Sequence, residues 1–178
     1  LTAQETGIYY GWVVVIFGTA GIVLGGYLAD VLTQRGKAAA KMQVAMLGAL
    51  LGVPFSVLYP LMSTPTAALL ALCPAAFAAA MPLGVAAAAI QQIMPANMRA
   101  QGSALYLFVI NLIGLGLGPS AVAWCTDYIF KDPDKVNLSL LWVGTSFGLV
   151  SALLLYFGSK HYRATLAYLE NYNKKHLI

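Results

Sequence analysis

IYYGWVVVIFGTAGIVLGGYLA, residues 8–29, decides the fold class. These twenty-two residues pass without one charged side chain. As a helix at 1.5 Å per residue they span about 33 Å, enough to cross a hydrocarbon core of about 30 Å. In lipid every backbone N–H and C=O must be satisfied within the chain, so such a segment is a helix and not an open strand. The period-2 alternation of a lipid-facing barrel strand is absent.

Four further stretches follow the same pattern, at about 42–62, 65–94, 100–126 and 138–158. The chain is 60% hydrophobic and only 9% charged, with a mean hydropathy of +0.77. A soluble domain carries roughly 25% charged residues, and a chain this short must still cover its surface. The surface therefore faces lipid. We expect an all-α membrane protein, with residues 1–158 forming a bundle of five transmembrane helices and 159–178 a cytoplasmic tail. The opening run Leu1-Thr-Ala-Gln-Glu-Thr-Gly7 lacks both an initiator Met and a leader pattern, and leads us to expect that the protein continues upstream.

The joints carry local signals. Thr2 and Glu5 have capping-box spacing, so the first helix starts ahead of its apolar part. Asn97 is a candidate N-cap for the fourth helix. Pro74 and Pro82 fall inside the third span, where neighbouring groups can satisfy freed carbonyls, and we expect kinks there. Arg35, Lys37, Lys41, Arg99, Lys160, Arg163, Lys174 and Lys175 all fall on one side of the membrane. Lys131 and Lys135 fall on the other, beside Glu5, Asp127, Asp132 and Asp134. The positive-inside rule then places the C-terminus in the cytoplasm. The tail, with its basic residues and Tyr162, Tyr168 and Tyr172, suits a solvated or membrane-surface helix.

The net charge of +4 comes from residues clustered by joint, not from a basic stripe, so no nucleic acid is expected. Cys73 and Cys125 lie in apolar stretches and read as small packing residues. His161 and His176 both lie in the tail, and no Ser–His or carboxylate pair occurs within a span. No catalytic residue, metal ligand or cofactor is therefore expected, and no enzyme. Asn111 stands about 16 Å along the fourth helix, near mid-membrane, where a buried amide must find partners or water. Ser103 and Tyr106 lie on nearby faces. These three line a cavity or make helix–helix hydrogen bonds. Gln91 and Gln92, near the end of the third span, line a vestibule or mark an interface. Gly114, Gly116, Gly118 and Pro119 make the later half of the fourth helix a hinge or a close-packing face.

Gly26-Tyr-Leu-Ala-Asp30 followed by Arg35-Gly-Lys37 resembles the loop signature of the major facilitator superfamily. Its core is G-x-L-x-D ahead of a basic turn; here Val31 and Thr33 replace the usual basic residue and glycine. Gln91 to Leu105, with Arg99-Ala-Gln at its centre, and Asn111 to Pro119 look like the tenth and eleventh helices of bacterial Spinster-like transporters. The resemblance implies that the five spans are helices eight to twelve of the C-terminal six-helix half, in a bacterial inner membrane. It implies an N-terminal half as partner and a small organic or lipid-like substrate, carried by alternating access. Asp30 would help latch the cytoplasmic side, with Gly26, Arg35, Lys37 and Arg99 near the same gate. No charged residue lies away from the span ends, so any proton-coupling group is expected elsewhere. A channel should show rings of charge or a repeated filter, and neither is seen; a channel or structural subunit stays as the alternative.

Overall fold

The computed structural model describes residues 2–176, with the side chains of Ala3, Ala96 and 170–176 excepted. All five spans are helices, and no strand occurs among the described residues. Helix α1 covers residues 3–34, α2 covers Ala40–Leu58 and ends in the 3₁₀ turn Tyr59–Leu61, α3 covers Pro65–Ile93, α4 covers Arg99–Phe130 and α5 covers Val136–His176. Each is long and apolar enough to cross a membrane. Tyr172, Lys174, Lys175 and His176 lie outside the residues whose side chains are described.

The helix ends follow local chemistry. Thr2 and Glu5 form the expected capping box: the Thr2 N–H donates to Glu5 Oε2 at 2.8 Å and the Glu5 N–H to Thr2 Oγ1 at 3.2 Å. Helix α1 stops where Gly36 takes φ +80°. The Gly36 N–H donates to the Thr33 carbonyl at 2.9 Å and the Lys37 N–H to the Leu32 carbonyl at 3.1 Å, a Schellman closure. Asn97 does not cap α4, which corrects the sequence expectation. It lies in the 3₁₀ turn Ala96–Met98, Met98 occupies the cap position, and no side chain caps that end. Helix α3 continues through Pro74 and Pro82, and α2 through Pro54. Helix α4 widens to π-helix at Leu112–Leu117 and Cys125–Phe130, then ends on Lys131 at φ 52°.

Helices α1, α2 and α3 meet through backbone. A methyl group built on Gly21 would collide with the Phe77 carbonyl, and one on Gly84 with the Ile22 carbonyl. On Gly25 it would stand 2.8 Å from the Met81 carbonyl, and on Gly48 2.9 Å from the Ala78 carbonyl. Small residues allow this approach, which replaces the hydrophobic driving force missing between helices in lipid. Around these contacts Ala29, Val44, Ala45, Met81 and Val85 form the core, with Leu28, Leu32, Phe77 and Leu155 against it. A second cluster, Ala39, Ala89 and Tyr162, lies beyond it towards Lys41.

The rest of the molecule is open. Its accessible surface is 11502 Å², whereas a compact soluble monomer of 18.8 kDa exposes about 8,300 Å². Helix α4 touches α3 near its start and α5 near its end, and Leu105, Phe108, Leu112, Leu115 and Leu117 between them are exposed. Such a surface is stable only in an apolar surrounding.

Gly84→Ala is expected to destabilise the bundle by about 1–3 kcal/mol through overpacking. Gly26 has open space at its Cβ position, so Gly26→Ala is expected to be neutral or stabilising by up to about 1 kcal/mol. Unfolding in bicelles checks the pair.

Candidate functional site

Helices α2 and α3 lie against each other and form the floor of a cleft, with α1 and α5 as its walls. Among the described residues α1 and α5 do not touch. The cleft holds about 670 Å³ and runs from Tyr10 and Tyr59 down to Ile22, Gly48 and Leu83. The glycine contacts that pinch α1, α2 and α3 together lie at and below that lower limit. Towards Tyr59, α1 parts from α2, while α1 stays on α3 and α5 stays on α2. Gly52, Ala75, Ala76, Ala79, Gly144 and Gly148 keep the lining shallow. Its polar groups are the hydroxyls of Thr19, Ser56 and Ser151 and the phenols of Tyr10 and Tyr59. Ser56 Oγ donates to the Val53 carbonyl at 2.8 Å. No Asp, Glu, Lys, Arg or His lines the cleft.

A second cleft of about 760 Å³ lies between α4 and α5 and shares Tyr59 and Gly144 with the first. Gly114, Gly118 and Pro119 line it, and Asp127 stands at its mouth. Below Asp127 the two helices are joined by a buried hydroxyl pair: Thr126 Oγ1 donates to Ser139 Oγ at 2.7 Å and lies 2.9 Å from the Val122 carbonyl.

The residues singled out from sequence are dispersed. Gln91 Nε2 donates to Ser103 Oγ at 2.8 Å, tying the end of α3 to the start of α4. Tyr106 is half-buried one turn further on. Asn111 is exposed and donates to the Leu107 carbonyl of its own helix at 2.7 Å. None of Gln91, Gln92, Ser103, Tyr106 and Asn111 lines either cleft. Gln92 instead accepts from Lys41 Nζ at 2.8 Å and from the Tyr162 hydroxyl at 3.1 Å. Asp30, Arg35 and Lys37 are exposed around the Schellman turn. Among the described residues the one ion pair is Lys135 with Asp132, at 3.4 Å. Arg99 Nε reaches the Met94 carbonyl at 3.5 Å. Gly114, Gly116 and Gly118 have open space at their Cβ positions, in and just after the π-helical stretch.

Sequence reasoning missed Tyr10, Thr19, Ser56, Tyr59 and Ser151 as cleft residues. A signal was present in the Gly-x-x-x-Gly pairs Gly21/Gly25, Gly48/Gly52 and Gly144/Gly148, which mark close-packing faces. Chemically, the cleft can bind and orient an uncharged group by hydroxyl hydrogen bonds and apolar contact. Among the described residues no three His, Cys, Asp or Glu side chains come together as a metal site would require.

Fold and cleft together define a helical protein with five helices long and apolar enough to cross a membrane and an uncharged cleft between α1 and α5. Compared with known proteins, the chain matches no family model, no curated sequence and no solved structure.

Ser139→Ala leaves the buried Thr126 hydroxyl without its partner on α5 and is expected to destabilise by about 1 kcal/mol. Thr126→Val together with Ser139→Ala is expected to cost less than the sum of the single changes, as read by unfolding in bicelles.

Proposed function

We propose that the chain is part of a secondary active transporter of the major facilitator type, of the Spinster-like branch, moving a small organic or lipid-like amphipathic substrate by alternating access. The observation that carries this reading is the asymmetry of the bundle. Glycine–carbonyl contacts hold α1, α2 and α3 together around the middle of the bundle, and an uncharged cleft opens from there towards Tyr59. A carrier needs such a site, accessible from one side and closed on the other, near the bilayer midplane. The lining, apolar with a few hydroxyls, favours an amphipathic molecule over an ion. The resemblance of Gly26 to Lys37 and of Gln91 to Pro119 to the family's loop and helices supports the same reading.

Under the positive-inside rule the Lys41 end faces the cytoplasm of a bacterial inner membrane, the C-terminus lies on that side, and the cleft opens outward. The remaining partner is the N-terminal half of the same carrier, closing over the cleft. Neither cofactor nor metal enters this mechanism, and it is not enzymatic. A second reading, a structural subunit, draws on one observation: a lining rich in Gly and Ala is also a seat for another helix.

The protein reconstituted in liposomes tests the proposal. Uptake of a substrate lipid or amphipath is expected to saturate and to show counterflow, and Gly52→Trp, which fills the cleft, is expected to lower it at least about tenfold, or 1.4 kcal/mol. Flux that never saturates and shows no counterflow would reject a carrier.

A further inference from the structure

We propose that Lys41, Gln92 and Tyr162 form a latch that fastens the projecting part of α5 to the ends of α2 and α3 and keeps this end of the bundle shut. Helix α5 runs unbroken for 41 residues, about 61 Å, twice the thickness of the hydrocarbon core. Tyr162 lies about 39 Å from its start, beyond the span and level with the ends of α2 and α3. It is nonetheless only 4% exposed, packed with Ala39 and Ala89 and flanked by Met42, Ile93 and Leu166. A projecting helix does not bury a tyrosine unless that ring is held by the bundle.

The polar contacts converge on one oxygen. Gln92 Oε1 accepts from Lys41 Nζ at 2.8 Å and, at 3.1 Å, shares the single proton of the Tyr162 hydroxyl with the Ala89 carbonyl. The Tyr162 hydroxyl also lies 3.1 Å from the Ala89 carbonyl, and Lys41 Nζ lies 3.3 Å from the Ala88 carbonyl. The ammonium sits at the C-terminal end of α3, where the helix dipole favours a cation. Three helices remote in sequence thus share one acceptor. Separating α5 from the other two leaves the buried phenol of Tyr162 short of a partner, an unfavourable state. The fastening stands on this geometry alone; its role as the gate of this end rests on the transport reading.

Amide exchange of the protein in nanodiscs, with Tyr162→Phe and Gln92→Leu, tests the latch. Tyr162→Phe keeps the ring and removes only the hydroxyl. Exchange is expected to quicken at least about fivefold at 39–45, 86–93 and 160–169 together, with 108–117 of α4 unchanged. The double variant is expected to fall short of the product of the single effects, because the bonds share one acceptor. Quickening confined to 160–169 would show a tail that is merely moored, and would overturn the latch. Unchanged rates at all three segments, or a full product in the double variant, would overturn it as well. If α4 quickens equally, the fold itself has loosened, and Lys41→Met, which leaves the buried ring in place, decides by the same three segments. These outcomes are read without transport, so the latch can fail while the carrier reading stands. If the latch holds and Tyr162→Phe leaves saturable uptake unchanged within twofold, the gating role is overturned.

Discussion

Backbone pressed against backbone is the constraint on which this bundle depends. In water, helices are driven together by burying apolar side chains. In lipid that drive is absent, and contact must come from close approach and satisfied polar groups. Gly21, Gly25, Gly48 and Gly84 provide the approach, each placed against a carbonyl of a neighbouring helix. Before these residues, towards its start, α1 parts from α2 but stays on α3. The cleft follows from where the glycines lie: α1 and α5 both rest on the α2–α3 floor, at different places, and among the described residues do not meet.

Polar groups join helices at both ends of the bundle. At the Lys41 end they bind helices to one another, as Gln91 with Ser103 and Gln92 with Lys41 and Tyr162 do. Along the cleft the hydroxyl of Ser56 bonds to its own helix, and Tyr10 and Tyr59 contribute to the lining. Thr126 with Ser139 and Asn137 with the Pro60 carbonyl bind helices at the Tyr59 end too, outside the lining of the first cleft. The uncharged lining with its few hydroxyl-bearing residues gives the cleft its reading as a binding site.

The spans were legible in sequence because length and the absence of charge suffice to define them. The capping box at Thr2 and Glu5 was legible because it is local. Asn97 was misread as a cap because the 3₁₀ turn at Ala96–Met98 shifts the start of α4 by one residue. The cleft was not legible. Gly and Ala serve equally as packing face, cleft wall and lipid face, and a helix apolar on every side has no period to show which face is inward. Asn111 attracted notice as a polar residue at mid-membrane, yet an amide can be satisfied by the carbonyl four residues back, as here. Lys41 counted in sequence only as one of the basic residues that orient the chain. Its bond to Gln92 joins positions 51 apart, which no local pattern records.

Thiol accessibility tests the central claim, an open cleft above a packed pinch, most directly. With Cys73 and Cys125 replaced by Ala, single cysteines at Ala76 and Gly52 probe the cleft, and at Ala29 and Ala45 the core. The protein in nanodiscs is treated with a water-soluble maleimide. Cleft thiols are expected to react at least about tenfold faster than core thiols, because only solvated thiols ionise and attack. Cleft thiols as protected as those of the core would mean that lipid or another helix fills the space, and would contradict the account.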